Sequence, residues 1–294
     1  MIVVYSEKMV PDMPEITYTT PSPWKPKKVV DDWNSDPEIS KRIDVTEPEP
    51  ATIEDFELAH DPNYITGIFD GTKENGCGGT AKQLAVTLPY TTGAEITAAM
   101  LALEGNPIVC APVSGFHHAG IKGGWIGSFC TFNGLIVTAL KMIKEGRAEQ
   151  IAILDCDLHY GDGTDDIIKK HGLTNQITHY SAGEAERNRY QAMDFLEELP
   201  TIIADKVKEN PNLVLYQAGA DPHVNDRYRG WLDTEQLRQR DRIVFRELIK
   251  RKIPVVWNLA GGYQWDSDGG ISVLLEIHRN TMIEGLKAMG EMVD

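Results

Sequence analysis

Cysteine is scarce here: four in 294 residues, Cys77, Cys110, Cys130 and Cys156, scattered and without a Cys-x-x-Cys pair. Cys110, Cys130 and Cys156 lie in or beside apolar runs, so buried free thiols are expected rather than disulfides, in a reducing compartment. Basic charge is short as well, with 29 Lys+Arg against 44 Asp+Glu, a net −15. That deficit argues against general nucleic-acid affinity, which needs basic patches, and is compatible with cationic substrates. Long apolar runs are absent: none reaches the ~18 residues of a membrane span. The opening MIVVYSEK has too short an apolar part for a signal segment and no basic n-region. No internal repeat or low-complexity tract is present. A cytoplasmic protein without a membrane partner is expected.

What is there suits one large α/β domain, residues 1–294, with 41% hydrophobic and 25% charged residues. Ile2–Tyr5 reads as a first strand. Residues 11–50, rich in Pro, Asp and Lys, read as an irregular surface segment, although Trp24 and Trp33 suggest that part of it packs down. Thr52 with Asp55 resembles a helix N-cap. Thr92–Leu103 has helical spacing and Pro107–Pro112 reads as a strand. From there helices (132–145, 165–170, 194–208, 234–250, 270–287) alternate with strands (151–154, 176–180, 213–217, 255–259). That alternation predicts βαβ units and a parallel sheet with helices on both faces.

Polar clusters follow the apolar runs at their C-terminal ends, where open parallel sheets bind ligands. Gly115-Phe116-His117-His118 follows the run at 108–110. Asp155, Asp157, His159 and Asp162 follow Ile151-Ala152-Ile153-Leu154. Asp221 and His223 follow Leu213–Tyr216, and Gly261-Gly262-Tyr263 follows Val255–Trp257. Three carboxylates and an imidazole at a core edge are costly unless paired or on a metal. In an extended segment Asp155, Asp157 and His159 share one face, so Asp157 and His159 could grip one ion. Singly each cluster has a plain explanation: a His-His pair is usually structural, Asp221 before Pro222 could cap a helix, and Asp162 between glycines could be a turn residue. Four at equivalent strand ends are harder to explain that way. His60, His171 and His278 receive no role.

The motifs GFHHAG (115–120), SFCTFNGL (128–135), LDCDLHYGDGT (154–164), AGADPHVND (218–226) and AGGY (260–263), in this order, resemble the zinc-dependent histone deacetylase superfamily, which includes acetylpolyamine amidohydrolases and acetoin-utilisation proteins. The resemblance covers about residues 50–290 and implies the arginase/deacetylase α/β fold. It makes Asp157, His159 and Asp221 ligands of zinc, or of ferrous iron, with an open position for water and substrate. It sets His117 and His118 facing that water, oriented by Asp155 and Asp162. Tyr263 would donate to the developing oxyanion, and Phe129, beside Ser128, would line the substrate channel. His118, in preference to His117, would take the water proton and return it to the leaving amine. The family also holds a potassium ion, and Asp155, Asp157, His159 and Thr178 match that site by position.

The chain departs from the family at three places. Ser128-Phe129-Cys130 stands where most members have Gly-Phe-Cys. The Pro-Gly-Thr-Gly loop carrying the channel's second aromatic wall is missing. PSPWKPKK (21–28) stands near the place of a His-Pro-Glu-Arg-Pro-like segment, and no counterpart of the acidic rim residue is found. The expected function is hydrolysis of an acyl group from an amine, either acetyl-lysine or a small acylated amine such as an acetylpolyamine. A homo-oligomer is compatible with the sequence. An arginase-type ureohydrolase with two manganese ions needs Asp-Ala-His-x-Asp and Ser-x-Asp-x-Asp-x-x-Asp-Pro patterns, and neither occurs. A non-catalytic binding protein that keeps the pocket is the reading from another class.

Overall fold

The computed structural model describes residues 1–125 and 128–290. Its elements run β1 (Ile2–Val4), α1 (Lys25–Ser35), α2 (Pro37–Ser40), β2 (Asp44–Thr46), α3 (Ile53–Phe56), α4 (Pro62–Asp70), α5 (Lys82–Ala85) and α6 (Leu88–Leu103). Then come β3 (Ile108–Cys110), α7 (Gly134–Lys144), β4 (Ile151–Asp155), α8 (Asp162–His171), β5 (Ile177–Ser181) and α9 (Ala192–Lys206). The chain closes with β6 (Leu213–Gln217), α10 (Thr234–Arg251), β7 (Val255–Asn258) and α11 (Ser272–Ala288).

The seven strands form one sheet in the order β2-β1-β3-β7-β6-β4-β5, every pair parallel. β3, β4, β6 and β7 are buried throughout, as strands covered on both faces must be. Trp257 of β7 shows how the layers lock: Trp33 of α1 packs on it at 5.7 Å and Phe245 of α10 at 6.2 Å between ring centroids. Thr52 caps α3 through a reciprocal pair of bonds with Asp55, as its spacing predicts. Cys110, Cys130 and Cys156 are buried free thiols. No helix among the described residues is long and apolar enough to cross a membrane.

The expectation of an irregular segment at 11–50 needs correction. It holds two helices and strand β2. Pro26 at the start of α1 is well placed, because its fixed φ and missing N–H suit a first helical turn. Asp36 then accepts from the amides of Glu38 and Ile39 and starts α2. Val29, Val30 and Trp33 bury one side of α1, a stripe obscured in the sequence by the surrounding Lys and Asp.

Candidate active site

Register sets the floor of the site. Asp155, the last residue of β4, lies opposite Gln217 of β6 and Ser181 of β5, and Gln217 lies opposite Asn258. Four strands therefore end level, and their following loops meet. β4 itself stops at Asp155, so the side chains beyond it are not aimed by a pleat. Two carboxylate-capped turns aim them: the amide of Asp157 donates to Asp155 Oδ1 at 3.1 Å, and that of His159 to Asp157 Oδ1 at 2.9 Å.

Asp157, His159 and Asp221 converge, with one ligand-type atom from each within 4.8 Å of the others. Asp221 Oδ2 is fully buried and has no hydrogen-bond partner, although His159 Nδ1 lies 2.9 Å away. Burial, and after it the charge of Asp157, pushes the Asp221 pKa up to about 7. Two buried carboxylates side by side call for a cation. An orphaned carboxylate oxygen facing an imidazole nitrogen fits a divalent metal with this donor set. Their remaining oxygens are held, Asp157 Oδ2 by the amide of Gly261 at 2.9 Å and Asp221 Oδ1 by that of Leu158 at 3.2 Å. Gly261 has to be glycine, since a Cβ there would sit 2.4 Å from Asp221 Cγ. Asp221 starts no helix, so the capping explanation fails.

His117 and His118 stand with ring centroids 4.1 Å apart, His118 lying 5.9 Å from His159. His117 Nδ1 meets Asp155 Oδ2 at 2.7 Å and His118 Nδ1 meets Asp162 Oδ1 at 2.6 Å, as the resemblance implies. The two pairs differ in setting. Asp155 is fully buried and also accepts from Gln217 Nε2 at 2.9 Å, whereas the Asp162 side chain is half exposed. Burial opposes charge on His117, but Asp155 and Asp157 outweigh it and lift the pKa to about 9. For His118, burial and the charge of His117 lower it below the usual value. Neighbouring imidazoles are thus driven apart, one toward the charged and one toward the neutral form.

Tyr263 is buried, its ring 5.1 Å from Phe129 and 6.2 Å from His159. Burial, then the carboxylates of Asp157 and Asp221, keeps its hydroxyl protonated. Phe129 sits in the left-handed region at φ 59°. Its carbonyl lies where a Cβ on Gly115 would come within 2.2 Å, so the two segments interlock. A cavity of about 40 Å³ is lined by His118, Trp125, Ser128, Phe129, His159, Tyr228 and Tyr263.

Four of the residues that build this site were not legible as such. Tyr228 stands 5.0 Å from His159 and 5.1 Å from Tyr263, each at 87°, and forms a second aromatic wall from the loop after Asp221. Asp226 accepts from the amides of Tyr263 at 2.8 Å and Tyr228 at 3.0 Å. Trp125 lies over His118 at 5.5 Å. Lys25, fully buried, donates to the carbonyls of Ala260 and Gly261. An isolated Asp226 in the AGADPHVND motif is the one weak signal available in advance.

One expectation is overturned. Thr178 pairs with Ala152, three residues short of the strand end, and does not reach Asp155. The hydroxyl beside Asp155 belongs to Ser181, its Oγ 3.4 Å from Oδ2. Of the histidines without a role, His60 is a structural strut between the Gly120 carbonyl and the Asn133 amide, 2.9 Å from each.

The histone deacetylase domain matches residues 20–198. An uncharacterised protein from Picosynechococcus is 30% identical over 228 residues, covering 71% of this chain and 75% of that one. Rice histone deacetylase 10, chloroplastic, is 26% identical over 275 residues, 78% of this chain and 61% of its own length. Acetylpolyamine amidohydrolase from Mycoplana ramosa is 34% identical over 94 residues, 29% of this chain and 26% of that one. The crystal structure of acetylpolyamine aminohydrolase from Burkholderia pseudomallei matches with a TM-score of 0.72 over 98% of this chain and 99% of that chain, at 15% identity, which shows a shared fold.

Proposed function

This chain belongs to the histone deacetylase family, and from that premise we propose that it is a metal-dependent amidohydrolase that removes an acetyl or related acyl group from an amine. The observation that carries this reading is one cavity lined by His159 of the Asp157–His159–Asp221 triad, by His118 of the two adjacent His–Asp pairs and by Tyr263. Bound by the triad, zinc, or ferrous iron, would supply Lewis acidity toward an amide carbonyl and acidify water.

The side chains do the remaining work. His118, neutral and oriented by Asp162, takes a proton from water and hands it to the departing amine nitrogen. His117, on the buried Asp155, holds positive charge beside the reacting carbon. Tyr263 donates its hydroxyl to the carbonyl oxygen as negative charge develops there. Phe129 and Tyr228 flank the substrate's alkyl arm, with Ser128 lining the same cavity. A monovalent cation beside Asp155 would meet Ser181 rather than Thr178. Three buried, unpaired cysteines support a reducing, cytoplasmic setting.

The substrates proposed are acetyl-lysine and small acylated amines, acetylpolyamines included. A turnover screen over acetyl-lysine peptides, acetylpolyamines and longer acyl-lysines, with metal content measured alongside, tests the reading. Turnover with about one metal per chain is the expected outcome. Two manganese ions per chain would point to ureohydrolase chemistry, and full metal loading without turnover to a binding protein.

A further inference from the structure

Asp155 has a second imidazole beside it. His179, on the edge strand β5, has a side chain that is 5% exposed, and its Nε2 lies 4.0 Å from Asp155 Oδ2, the same oxygen that holds His117. That Nε2 is buried and has no hydrogen-bond partner. The other nitrogen is committed: Nδ1 meets Asp165 Oδ1 at 2.7 Å, and Asp165 in turn accepts from the Tyr160 hydroxyl. An ionised carboxylate only accepts, so the Asp165 contact puts a proton on Nδ1. A lone pair on Nε2 would then face a carboxylate oxygen and repel it, whereas an N–H there attracts it. Gly161 makes the approach feasible, because a Cβ would lie 2.7 Å from Asp155 Oδ2 and 3.1 Å from His179 Cε1.

We propose that His179 is a positioning residue for the His117–Asp155 pair, a buried ring set against the Asp155 carboxylate and anchored through Asp165 and Tyr160 to the protein surface. His179 touches neither the triad nor the cavity, so it acts only through Asp155. The inference rests on His117 being a working histidine of the proposed reaction.

Turnover and NMR of the full-length, metal-loaded chain test it with His179→Ala and His179→Gln. The Ala variant is expected to lose kcat by roughly tenfold with KM and metal content unchanged. The Gln variant, whose amide can still donate toward Asp155, should recover part of that loss. Independently of turnover, the Nδ1–H proton of His117, protected in the wild type, should broaden by exchange in His179→Ala. Wild-type kcat together with an unaltered His117 signal in that variant overturns the proposal. Should both variants misfold, Asp165→Asn removes the anchor and leaves His179 in place; a selective fall in kcat supports the proposal and an unchanged kcat refutes it. A wild type that cleaves no acylated amine would sink the deacetylase reading, and the NMR arm would still decide the part played by His179.

Discussion

Lys25 Nζ donates to the carbonyl of Gly261 at 2.6 Å, tying the start of α1 to a turn 236 residues further along the chain. It also donates to Ala260, whose φ of 48° is left-handed for a residue with a side chain, and Gly262 follows at φ 116°. That turn ends in Tyr263. The side chain therefore holds a strained loop by its carbonyls; burial pulls its pKa down to about 8, with the carboxylates of Asp221 and Asp157 opposing that fall.

Lys25→Met should leave two buried carbonyls without a donor, at a cost of about 1–3 kcal/mol in stability. Turnover should fall with it, because Tyr263 loses the backbone that seats it. Urea unfolding and kcat measured on the same preparation check this. A variant as stable and as active as the wild type would show that the turn holds itself.

Asp221→Ala and Tyr263→Phe should separate metal binding from turnover. The first removes a ligand and should abolish metal retention. The second keeps all three ligands and removes one hydroxyl, so metal content stays while kcat drops by about 10²–10³. Elemental analysis beside steady-state kinetics decides, and full activity in Tyr263→Phe would refute the oxyanion assignment.

Tyr228→Ala removes one wall of the channel, a ring 5.0 Å from His159, and leaves the ligand and base residues themselves unchanged. Acetyl substrates should lose efficiency, while longer acyl chains gain relative to them by roughly tenfold in kcat/KM. An unchanged ratio between acetyl and longer acyl substrates would mean that Tyr228 does not shape the channel.

Glu95 on α6 is fully buried, and neither carboxyl oxygen has a hydrogen-bond partner. Burial raises its pKa from 4.5 to about 8. Between those values the folded chain keeps the proton and the unfolded chain releases it. The contribution of Glu95 to stability is therefore highest below pH 4.5 and falls as pH rises toward 8, by at most about 1.4 kcal/mol per unit. Glu95→Gln should remove that slope, gaining on the wild type at pH 8 and little at pH 5. Parallel melting-temperature profiles for the two proteins would exclude the effect.

The difference between legible and illegible parts is physical. The apolar runs of β3, β4, β6 and β7 and the polar residues at their ends could be read directly, because a strand buried on both faces is a continuous hydrophobic run. The His117–Asp155 and His118–Asp162 pairs came only with the family resemblance, since partners 38 and 44 residues apart leave no local trace. α1 stayed hidden because its buried stripe is interleaved with Lys, Asp and Pro. Matching by position puts Thr178 at the cation site, but position in the chain does not carry the offset between paired strands, and that offset decides that the hydroxyl beside Asp155 is Ser181.

Sequence alone determined the order of the elements, the parallel sheet and the set of chemical groups gathered at its carboxyl edge, since these follow from local apolar patterning and from which residues end each strand. Tertiary structure decided what surrounds that set: Lys25 under the Tyr263 turn, Tyr228 as the second wall, Asp226 behind both, and His179 beside the Asp155 carboxylate. Each of these depends on register or on long-range packing, where burial and directional hydrogen bonds choose among residues that look alike in sequence.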